Sequence, residues 1–573
     1  MKKITLLGFC SLILIPAYTQ LTPYEQGNYN TTATYPQVIN YYKKLANASK
    51  LVTIQAIGST DANLPLHLIT VSSNAQHNPN VWHAQKRTVI LINNGIHPGE
   101  PDGIDATMML VRDIVNKKLL LPNNVALAII PVYNIGGCLN RSAYFRVDQN
   151  GPAEFGFRGN SQNLDLNRDF IKCDSREAKT FAQIYHYINP EIFIDNHVSN
   201  GANYQHIMTL LATQHNKLGG VQDAFLQNTL MPALYNNMAQ KKYDLVPYVN
   251  FYGETPEQGW TEFYDSPRYS SGYTTLWHTY GFVPETHMLK NYKQRVTATY
   301  ELMKSFINIA NTLNQKILTT RQAAIAGSIT ADSTVLDWRH DKTQQTQITF
   351  KGYESSKKIS DLSGLLRLYY DTTKPFTKSI PFYNTYVPSA VVKKATAYII
   401  PQGWHKVIEL LQLNKVNMYK LLKDTIIQVQ AYTITDYKSS DKPYEGHHAN
   451  TAVKVVSNLV SMAFAAGDYF IPLNQVANRY LQETLEPQGR DSYFAWNYFD
   501  TILGQKEGYS DYAFEELATA ILKDDLPLKS KYDTKKLSDK KFAADSAAQL
   551  EYIYKNSKYF EPAYMQYPVY RVL

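Results

Sequence analysis

His97 and Glu100 stand three residues apart in the chain, separated by a Pro-Gly pair. They follow a short β-branched apolar run, 89–92, which predicts a buried strand. An apolar rhythm over 104–115 then predicts a helix. Two side chains at this spacing can face the same way on a tight turn, as a pair of metal ligands must. Alone, the pattern fits equally well a turn whose His and Glu are merely solvated.

His197 is the candidate for a third ligand, because it follows another apolar strand predicted over 191–195. The carboxyl ends of strands in an open α/β sheet are where ligands usually bind. Two His and one Glu leave a fourth position for water, which is the arrangement of a catalytic zinc site. Zinc lowers the pKa of that water to about 7, and the water still needs a general base. Glu285, at the end of a further strand, is the candidate base; a surface carboxylate is the alternative interpretation.

A second polar motif runs over 163–170 and contains Asn167 and Arg168. Shortly before it, Arg158 follows an aromatic residue inside a polar loop, 140–163, which is long enough to be functional. Guanidinium groups bind carboxylates with paired hydrogen bonds, and an Asn amide adds a further donor. By itself, the motif also fits an ordinary turn with a surface ion pair.

Alternating strands and helices surround these motifs. The predicted strands are 51–57, 64–71, 89–92, 125–132 and 191–195, and the predicted helices are 35–50, 104–115, 175–187 and 292–314. This alternation predicts an α/β fold: an α/β/α sandwich with a mostly parallel, mixed sheet. After 326 the pattern changes to a β-rich region followed by helical segments. We expect a catalytic domain over 21–325 and an accessory region of unassigned fold over 326–573.

Composition narrows the function and the compartment. Lys and Arg number 57 and Asp and Glu 49, and the excess of 8 is spread along the chain, which does not indicate nucleic-acid binding. Residues 1–20 have a basic start and a short apolar run, which predicts a secretory signal peptide and a periplasmic or extracellular mature protein. No segment is long enough to predict an integral membrane span. Cys138 and Cys173 can pair after export or remain thiols.

Together these motifs, in this order, resemble the zinc carboxypeptidase family, peptidase family M14, over about 35–314. The resemblance implies one zinc ion (Zn²⁺) per chain, bound by His97, Glu100 and His197. It also implies that Glu285 is the catalytic glutamate. The fold expected from the resemblance is the same α/β/α sandwich that the alternation predicts.

The resemblance also assigns residues to the substrate. Asp165, Asn167 and Arg168 match the family's DxNR motif. Asn167 and Arg168 are then expected to hold the substrate's terminal carboxylate, while Asp165 orients the first zinc histidine from behind. Arg158 matches the arginine that polarises the scissile carbonyl. Tyr273 is our choice for the tyrosine that covers the bound substrate.

The sequence departs from the family pattern at several positions. Pancreatic-type members carry an Arg inside the HxxE motif where this chain has Gly99, and Val198 replaces the usual Ser after the third ligand. The covering tyrosine is ambiguous, since Tyr264 and Tyr269 compete with Tyr273. These departures concern substrate preference rather than the zinc chemistry.

We therefore expect a secreted zinc metallocarboxypeptidase that hydrolyses the last amide bond of peptides with a free C-terminal carboxylate. Zinc activates the attacking water and Glu285 serves as general base. Three alternatives stay open: the same chemistry on cell-wall peptides, the same chemistry on N-acyl amino acids, and a non-catalytic binding relative. The sequence does not indicate an oligomeric state.

Overall fold

The structure is a computed structural model that describes residues 20–251 and 254–573. The predicted signal peptide, 1–20, lies outside the described residues except for Gln20. Within the described part of the chain, no helix is both long enough and apolar enough to cross a membrane. Cys138 and Cys173 are both buried free thiols, so the structure has them unpaired.

The first half of the chain alternates between helices and strands. Its strands are β1 Val52–Ser59, β2 Pro65–Val71, β3 Thr88–Asn93, β4 Val125–Ile130, β5 Arg141–Ser142, β6 Phe155–Gly156, β7 Ile192–Asp195, β8 His197–Ser199, β9 Met208–Ala212, β10 Trp260–Thr261 and β11 Tyr280–His287. Its helices are α1 Pro23–Gln26, α2 Tyr35–Ala48, α3 Pro79–Ala84, α4 Asp102–Val115, α5 Ile135–Leu139, α6 Arg176–Ile188, α7 His215–Leu218, α8 Gly220–Phe225, α9 Met231–Gln240, α10 Ser270–Thr275, α11 Tyr292–Thr312 and α12 Asn314–Thr330.

The second half is rich in strands. These are β12 Ser333–His340, β13 Thr346–Ile359, β14 Leu366–Tyr383, β15 Tyr386–Lys393, β16 Ala397–Ile400, β17 Tyr419–Lys420, β18 Thr425–Ser439, β19 Asn450–Phe464, β20 Tyr469–Pro472 and β21 Tyr570–Val572. Its helices are α13 His405–Leu413, α14 Asn478–Leu485, α15 Asp511–Asp524, α16 Leu526–Ser538, α17 Lys540–Ala543 and α18 Ser546–Lys555.

The central sheet has eight strands among the described residues, in the order β1-β2-β4-β3-β7-β11-β8, with β9 paired to β11. The strands β4, β3, β7, β11 and β8 run parallel to one another, while β1 and β2 pair antiparallel beside β4 and β9 pairs antiparallel with β11. All six residues of β3 are buried, as expected for a strand covered on both faces. The sheet confirms the predicted α/β class with a mostly parallel, mixed sheet.

Helices pack against the central sheet and against one another. α4 packs against α2 and α11, and α6 packs against β1, β2 and β3. α6 begins at Ser175, whose side chain accepts a hydrogen bond from the Ala178 amide, and ends at Asn189 in the left-handed conformation. The chain then turns directly into β7, so the end of the helix sets where that strand begins.

The second half confirms the predicted β-rich region with helical segments. A six-stranded sheet has the order β17-β20-β16-β21-β18-β19, and two long hairpins, β13–β14 and β18–β19, extend from this half. The halves are also joined, because β10 of the first half pairs with β14. A single apolar cluster contains both Tyr273 and Tyr480. The division at 325 and 326 stays a prediction.

Candidate active site

His97, Glu100 and His197 meet at the carboxyl edge of the central sheet. After β3 ends, the chain makes a tight turn in which the Glu100 amide donates to the His97 carbonyl over 2.8 Å. His197 opens β8 immediately after β7. All three side chains are buried, with at most 4% of each residue exposed. Two strand ends therefore bring together residues that are 97 positions apart in the chain.

The three side chains can contact a single ion. His97 Nδ1 lies 3.4 Å from Glu100 Oε1, and His197 Nδ1 lies 3.1 Å from Glu100 Oε2. One ligand atom from each residue lies within 4.8 Å of the other two. Two imidazole nitrogens and a carboxylate oxygen at this separation match the donor set of a catalytic zinc site with one open position.

Each imidazole is oriented by a carboxylate on its far side. His97 Nε2 lies 2.9 Å from Asp165 Oδ1, and His197 Nε2 lies 3.1 Å from Asp195 Oδ2. These contacts occupy both Nε2 atoms, so each ring presents Nδ1 to Glu100. Metal-bound histidines are held by outer carboxylates in this way. Asp165 was predicted for this role, whereas Asp195, two residues before His197 on the same strand end, was missed.

Glu285 lies beside the ligand cluster on the neighbouring strand. β11 runs parallel to β8, and Glu285 is in register with His197. Its side chain lines the same cleft as the three candidate ligands. Burial raises the pKa of Glu285 to about 8, against the opposing attraction of His197. A cation at the ligand cluster would lower this pKa, which leaves Glu285 suited to exchange a proton near neutral pH.

A buried ion pair connects the strand of Glu285 to the turn of Glu100. Asp102, at the start of α4, lies 3.0 Å from Arg295 Nε of α11 and also accepts a hydrogen bond from the Thr286 hydroxyl. These three residues link the metal-ligand turn, β11 and the following helix. The sequence analysis missed this link, because its residues lie far apart in the chain.

Arg158 lies at the cleft beside Asp165 and Glu100. Its Nε donates to Asp165 Oδ2 over 2.9 Å, and Nη1 lies 3.4 Å from Glu100 Oε1. Its side chain is 46% exposed, so the guanidinium remains open to the cleft. Attraction to Asp165 and Glu100 outweighs burial and raises the pKa of Arg158, which keeps the group charged.

Arg146 is a second arginine at the cleft, and the sequence analysis missed it. Its Nη1 donates to Glu100 Oε1 over 2.6 Å, and its Nη2 donates to the Val198 carbonyl over 2.9 Å. A Cβ atom at Gly99 would lie 2.8 Å from Arg146 Cδ. Gly99, where pancreatic-type members carry an Arg, therefore leaves the space that Arg146 fills. The polar loop over 140–163 was the one signal for such a residue.

Asn167 and Arg168 lie on a short 3₁₀ turn, Leu166–Arg168, and both line the same cleft. The Asn167 side-chain oxygen accepts from the Ser270 amide over 3.1 Å, which leaves its amide nitrogen to donate to a ligand. Arg168 lies over the Tyr269 ring at 4.6 Å, and its Nη1 donates to the Asn167 carbonyl over 2.7 Å.

The family model for zinc carboxypeptidases matches residues 38–360, which is more than half of the chain. The chain belongs to the zinc carboxypeptidase family. As a member it is a zinc metallopeptidase, a hydrolase, and the family implies zinc as its metal. No curated protein matches the chain.

Solved structures of other metallocarboxypeptidases are similar to this zinc carboxypeptidase. The metallo-carboxypeptidase from Burkholderia cenocepacia is 14% identical, with 49% of this chain and 70% of that chain covered and a TM-score of 0.35. The metallo-carboxypeptidase from Pseudomonas aeruginosa, in complex with (2-guanidinoethylmercapto)succinic acid, is 12% identical, with 49% of this chain and 70% of that chain covered and a TM-score of 0.37. The carboxypeptidase A from Helicoverpa armigera is 16% identical, with 52% of this chain and 75% of that chain covered and a TM-score of 0.36.

The side chains of this zinc carboxypeptidase fit the implied metal. His97 Nδ1 is buried and has no hydrogen-bond partner among residues 20–251 and 254–573. A buried polar atom without a partner is costly, and coordination to a cation would remove that cost. The donor set of two imidazoles and one carboxylate also suits zinc. His97, Glu100 and His197 form the one His/Cys/Asp/Glu cluster of metal-binding geometry in the described residues.

Tyr273 does not lie in the cleft of the zinc carboxypeptidase, which contradicts its prediction as the covering tyrosine. Its side chain is fully buried, and its hydroxyl donates to Asn414 Oδ1 over 2.6 Å. Tyr273 is inside α10, where the helix turns it towards the core beside Tyr185. Tyr269, which precedes the helix, lines the cleft instead, and the other alternative, Tyr264, packs beside Tyr386.

Proposed function

We propose that the chain is a metallocarboxypeptidase that binds one zinc ion through His97, Glu100 and His197. It removes the C-terminal residue of peptides that carry a free carboxylate. The observation that carries this proposal is the convergence of the three ligand side chains within 4.8 Å, with Glu285 on the adjacent strand. The family match supports the same chemistry.

Substrate binding falls to Asn167 and Arg168, which line the same cleft as the ligand cluster. Arg168 offers a guanidinium and Asn167 an amide nitrogen, a pair suited to a terminal carboxylate. Holding that carboxylate fixes the last amide bond at a set distance from the cluster, which reduces the entropy lost in bringing the reacting groups together. Tyr269, stacked under Arg168, replaces Tyr273 as our candidate for the residue that covers the bound side chain.

Proton transfer falls to Glu285. When bound, zinc lowers the pKa of a water ligand to about 7 and polarises the scissile carbonyl. Glu285 takes the proton from the attacking water and later delivers it to the departing amine. Arg158 donates hydrogen bonds to the carbonyl oxygen as negative charge develops there. Asp165 and Asp195 keep the two histidines in the orientation that the cluster requires.

The cleft favours uncharged C-terminal side chains. Its volume is about 380 Å³, and its charged side chains are those of the ligand cluster, Glu285 and the arginines 146, 158 and 168. The remaining walls are apolar or neutral polar. They include Leu211, Val283, Phe263, Ser270 and Ser271. Arg146 and Arg158 are engaged by Glu100 and Asp165, and we assign Arg168 to the terminal carboxylate, so a charged C-terminal side chain would lose its hydration here without an unpaired opposite charge.

Domain organisation and export complete the proposal. We assign catalysis to 21–325 and an accessory role to 326–573, while noting that the family match continues to residue 360. The basic start and apolar run of residues 1–20 support export to the periplasm or beyond. An exported enzyme also meets cell-wall peptides, which therefore belong in any substrate panel.

The test compares matched substrates on the purified protein. N-acylated dipeptides ending in Phe, Lys or Glu are offered with a free carboxylate and, separately, as C-terminal amides. We expect release of the terminal residue from the free acids, fastest for Phe, and a loss of at least about 100-fold for the amides. Equal hydrolysis of acids and amides, or turnover of cell-wall fragments or N-acyl amino acids alone, would contradict the proposed substrate.

A further inference from the structure

A tight turn from the second half of the chain reaches the DxNR motif of the first half. Residues 440–449, here called the tip, connect β18 to β19. Within the tip, Tyr444 and His447 exchange backbone hydrogen bonds of 2.8 and 3.1 Å around Glu445 and Gly446. Both central residues have positive φ, 50° and 80°, which gives a two-residue turn whose hand suits a hairpin. The turn presents Tyr444 and Glu445 at its end.

The tip makes two polar contacts with the motif. The Arg168 Nε donates to the Tyr444 hydroxyl over 2.9 Å. The Asp165 amide donates to the Glu445 carboxylate over 2.8 Å. Tyr444 follows Arg168 by 276 positions, and Glu445 follows Asp165 by 280 positions. The tip thus contacts the last and the first residue of the Asp-Leu-Asn-Arg sequence. No spacing in the sequence could have indicated either contact.

The contact with Tyr444 limits how Arg168 can bind a ligand. Nε is engaged by the tyrosine hydroxyl, and one Nη1 hydrogen by the Asn167 carbonyl. The guanidinium plane rests on the Tyr269 ring at 4.6 Å. Nη1 also lies 3.9 Å from Asp165 Oδ2, so the two Nη2 donors are those that can meet a carboxylate. A guanidinium group that is already held in one plane loses less conformational entropy when it binds a carboxylate.

The tip is itself anchored to the first half. His447 Nε2 lies 2.8 Å from Asp174 Oδ2, a few residues after the motif. Arg268 lies over the ring of Tyr444 at 5.7 Å and over that of Trp496 at 4.8 Å. Arg268 is also paired with Asp491 over 2.7 Å. The tip is therefore fixed on both sides rather than resting on the cleft by a single bond.

We propose that Tyr444 is a positioning residue for substrate binding, and that the tip forms the outer wall of the subsite for the substrate's terminal carboxylate. This rests on the proposed carboxypeptidase function. Tyr444 acts through Arg168: it holds the guanidinium in the plane in which two N–H groups face the incoming carboxylate. The second half of the chain then contributes to substrate affinity, while the proton-transfer and metal-binding groups belong to the first half.

The test uses the full-length Tyr444→Phe variant, which keeps the ring and removes the hydroxyl. The substrate is the N-acylated dipeptide ending in Phe, with a free carboxylate. We expect KM to rise about 3- to 10-fold, as for the loss of one typical hydrogen bond, because the Asn167 carbonyl and the Tyr269 ring still hold the guanidinium, with kcat within about twofold of wild type. The inhibition constant of the released amino acid should rise by the same factor as KM. Zinc content and Tm serve as checks on folding.

The matched control is Tyr437→Phe, which removes a hydroxyl from β18 of the same hairpin, where the ring packs on Phe494. It should leave KM and kcat at wild-type values. An unchanged KM in Tyr444→Phe, or a fall in kcat alone, overturns the role of the tip while the proposed function stands. A zinc-loaded wild type that hydrolyses no free-carboxylate peptide overturns both.

Discussion

The two ends of the cleft are built in different ways. The ligand end, with His97, Glu100 and His197, draws its contacts from the first half of the chain, at the ends of neighbouring strands. The carboxylate end, at Arg168, depends on a turn that arrives from the second half. On the proposed function, residues at the strand ends of the sheet carry the chemistry, whereas both halves of the chain contribute to substrate binding. Changes at the ligand end should act on kcat or on metal content, and changes at the carboxylate end on KM.

The largest expected effect is on Glu285. Glu285→Gln removes the group that exchanges the proton, so kcat should fall by about 10²- to 10⁴-fold while zinc content stays at the wild-type level. Glu262→Gln is a matched control, because burial also raises the pKa of Glu262 to about 8, yet this carboxyl lies outside the cleft. Steady-state kinetics measure kcat, and metal analysis measures the zinc content. Near-wild-type turnover in Glu285→Gln would refute the role of Glu285 as general base.

The next effect sharpens the contrast at the carboxylate end. Arg168→Ala deletes the charged donor for the terminal carboxylate, so KM should rise by about 10- to 100-fold. The fall in kcat should be much smaller than for Glu285→Gln. Arg176→Ala is the control, since that arginine is 58% exposed at the surface. If KM stays constant while kcat collapses, the division of labour between the two ends is wrong.

The third effect, of similar size but on zinc affinity instead of KM, concerns an outer carboxylate. Asp195→Asn keeps the shape but weakens the contact that orients His197, so zinc affinity should drop by about 10- to 100-fold. Competition with a chelating dye measures the change. Asp223→Asn is the control. Asp223 Oδ1 lies 2.9 Å from His215 Nδ1 at a site outside the cleft, so this change should leave the zinc affinity unaltered. Equal zinc affinity in Asp195→Asn and wild type would remove Asp195 from the metal centre.

The sequence was sufficient for the fold class of the first half and for the strands that lead to its candidate ligands. The buried strands around 89–92 and 191–195 are continuous apolar runs, and runs of that kind form parallel strands covered on both faces. Residues that follow such runs end at the same sheet edge, which is why His97, Glu100 and His197 could be grouped. The second half offered no comparable rule: it was recognised as β-rich, but its six-stranded sheet pairs strands that are far apart in the chain, such as β16 and β21.

The site residues that were missed or misplaced share a physical reason. Tyr273 and Tyr269 are four residues apart, and the start of α10 between them decides which one faces the cleft. Arg146 comes from an irregular loop, where periodicity carries no information. Tyr444 contacts Arg168 across 276 positions, so only the assembled fold reveals it. Asp195 was within reach of sequence reasoning, because it precedes His197 by two residues on the same strand end.

The central claim is that His97, Glu100 and His197 hold one zinc ion. Its most direct test is the zinc content of the wild-type chain and of the His97→Ala and His197→Ala variants after dialysis against metal-free buffer. The account predicts about one zinc per wild-type chain and background levels in both variants, with circular dichroism showing all three folded. A wild-type chain that is active without zinc, or a variant that retains a full equivalent, would contradict it.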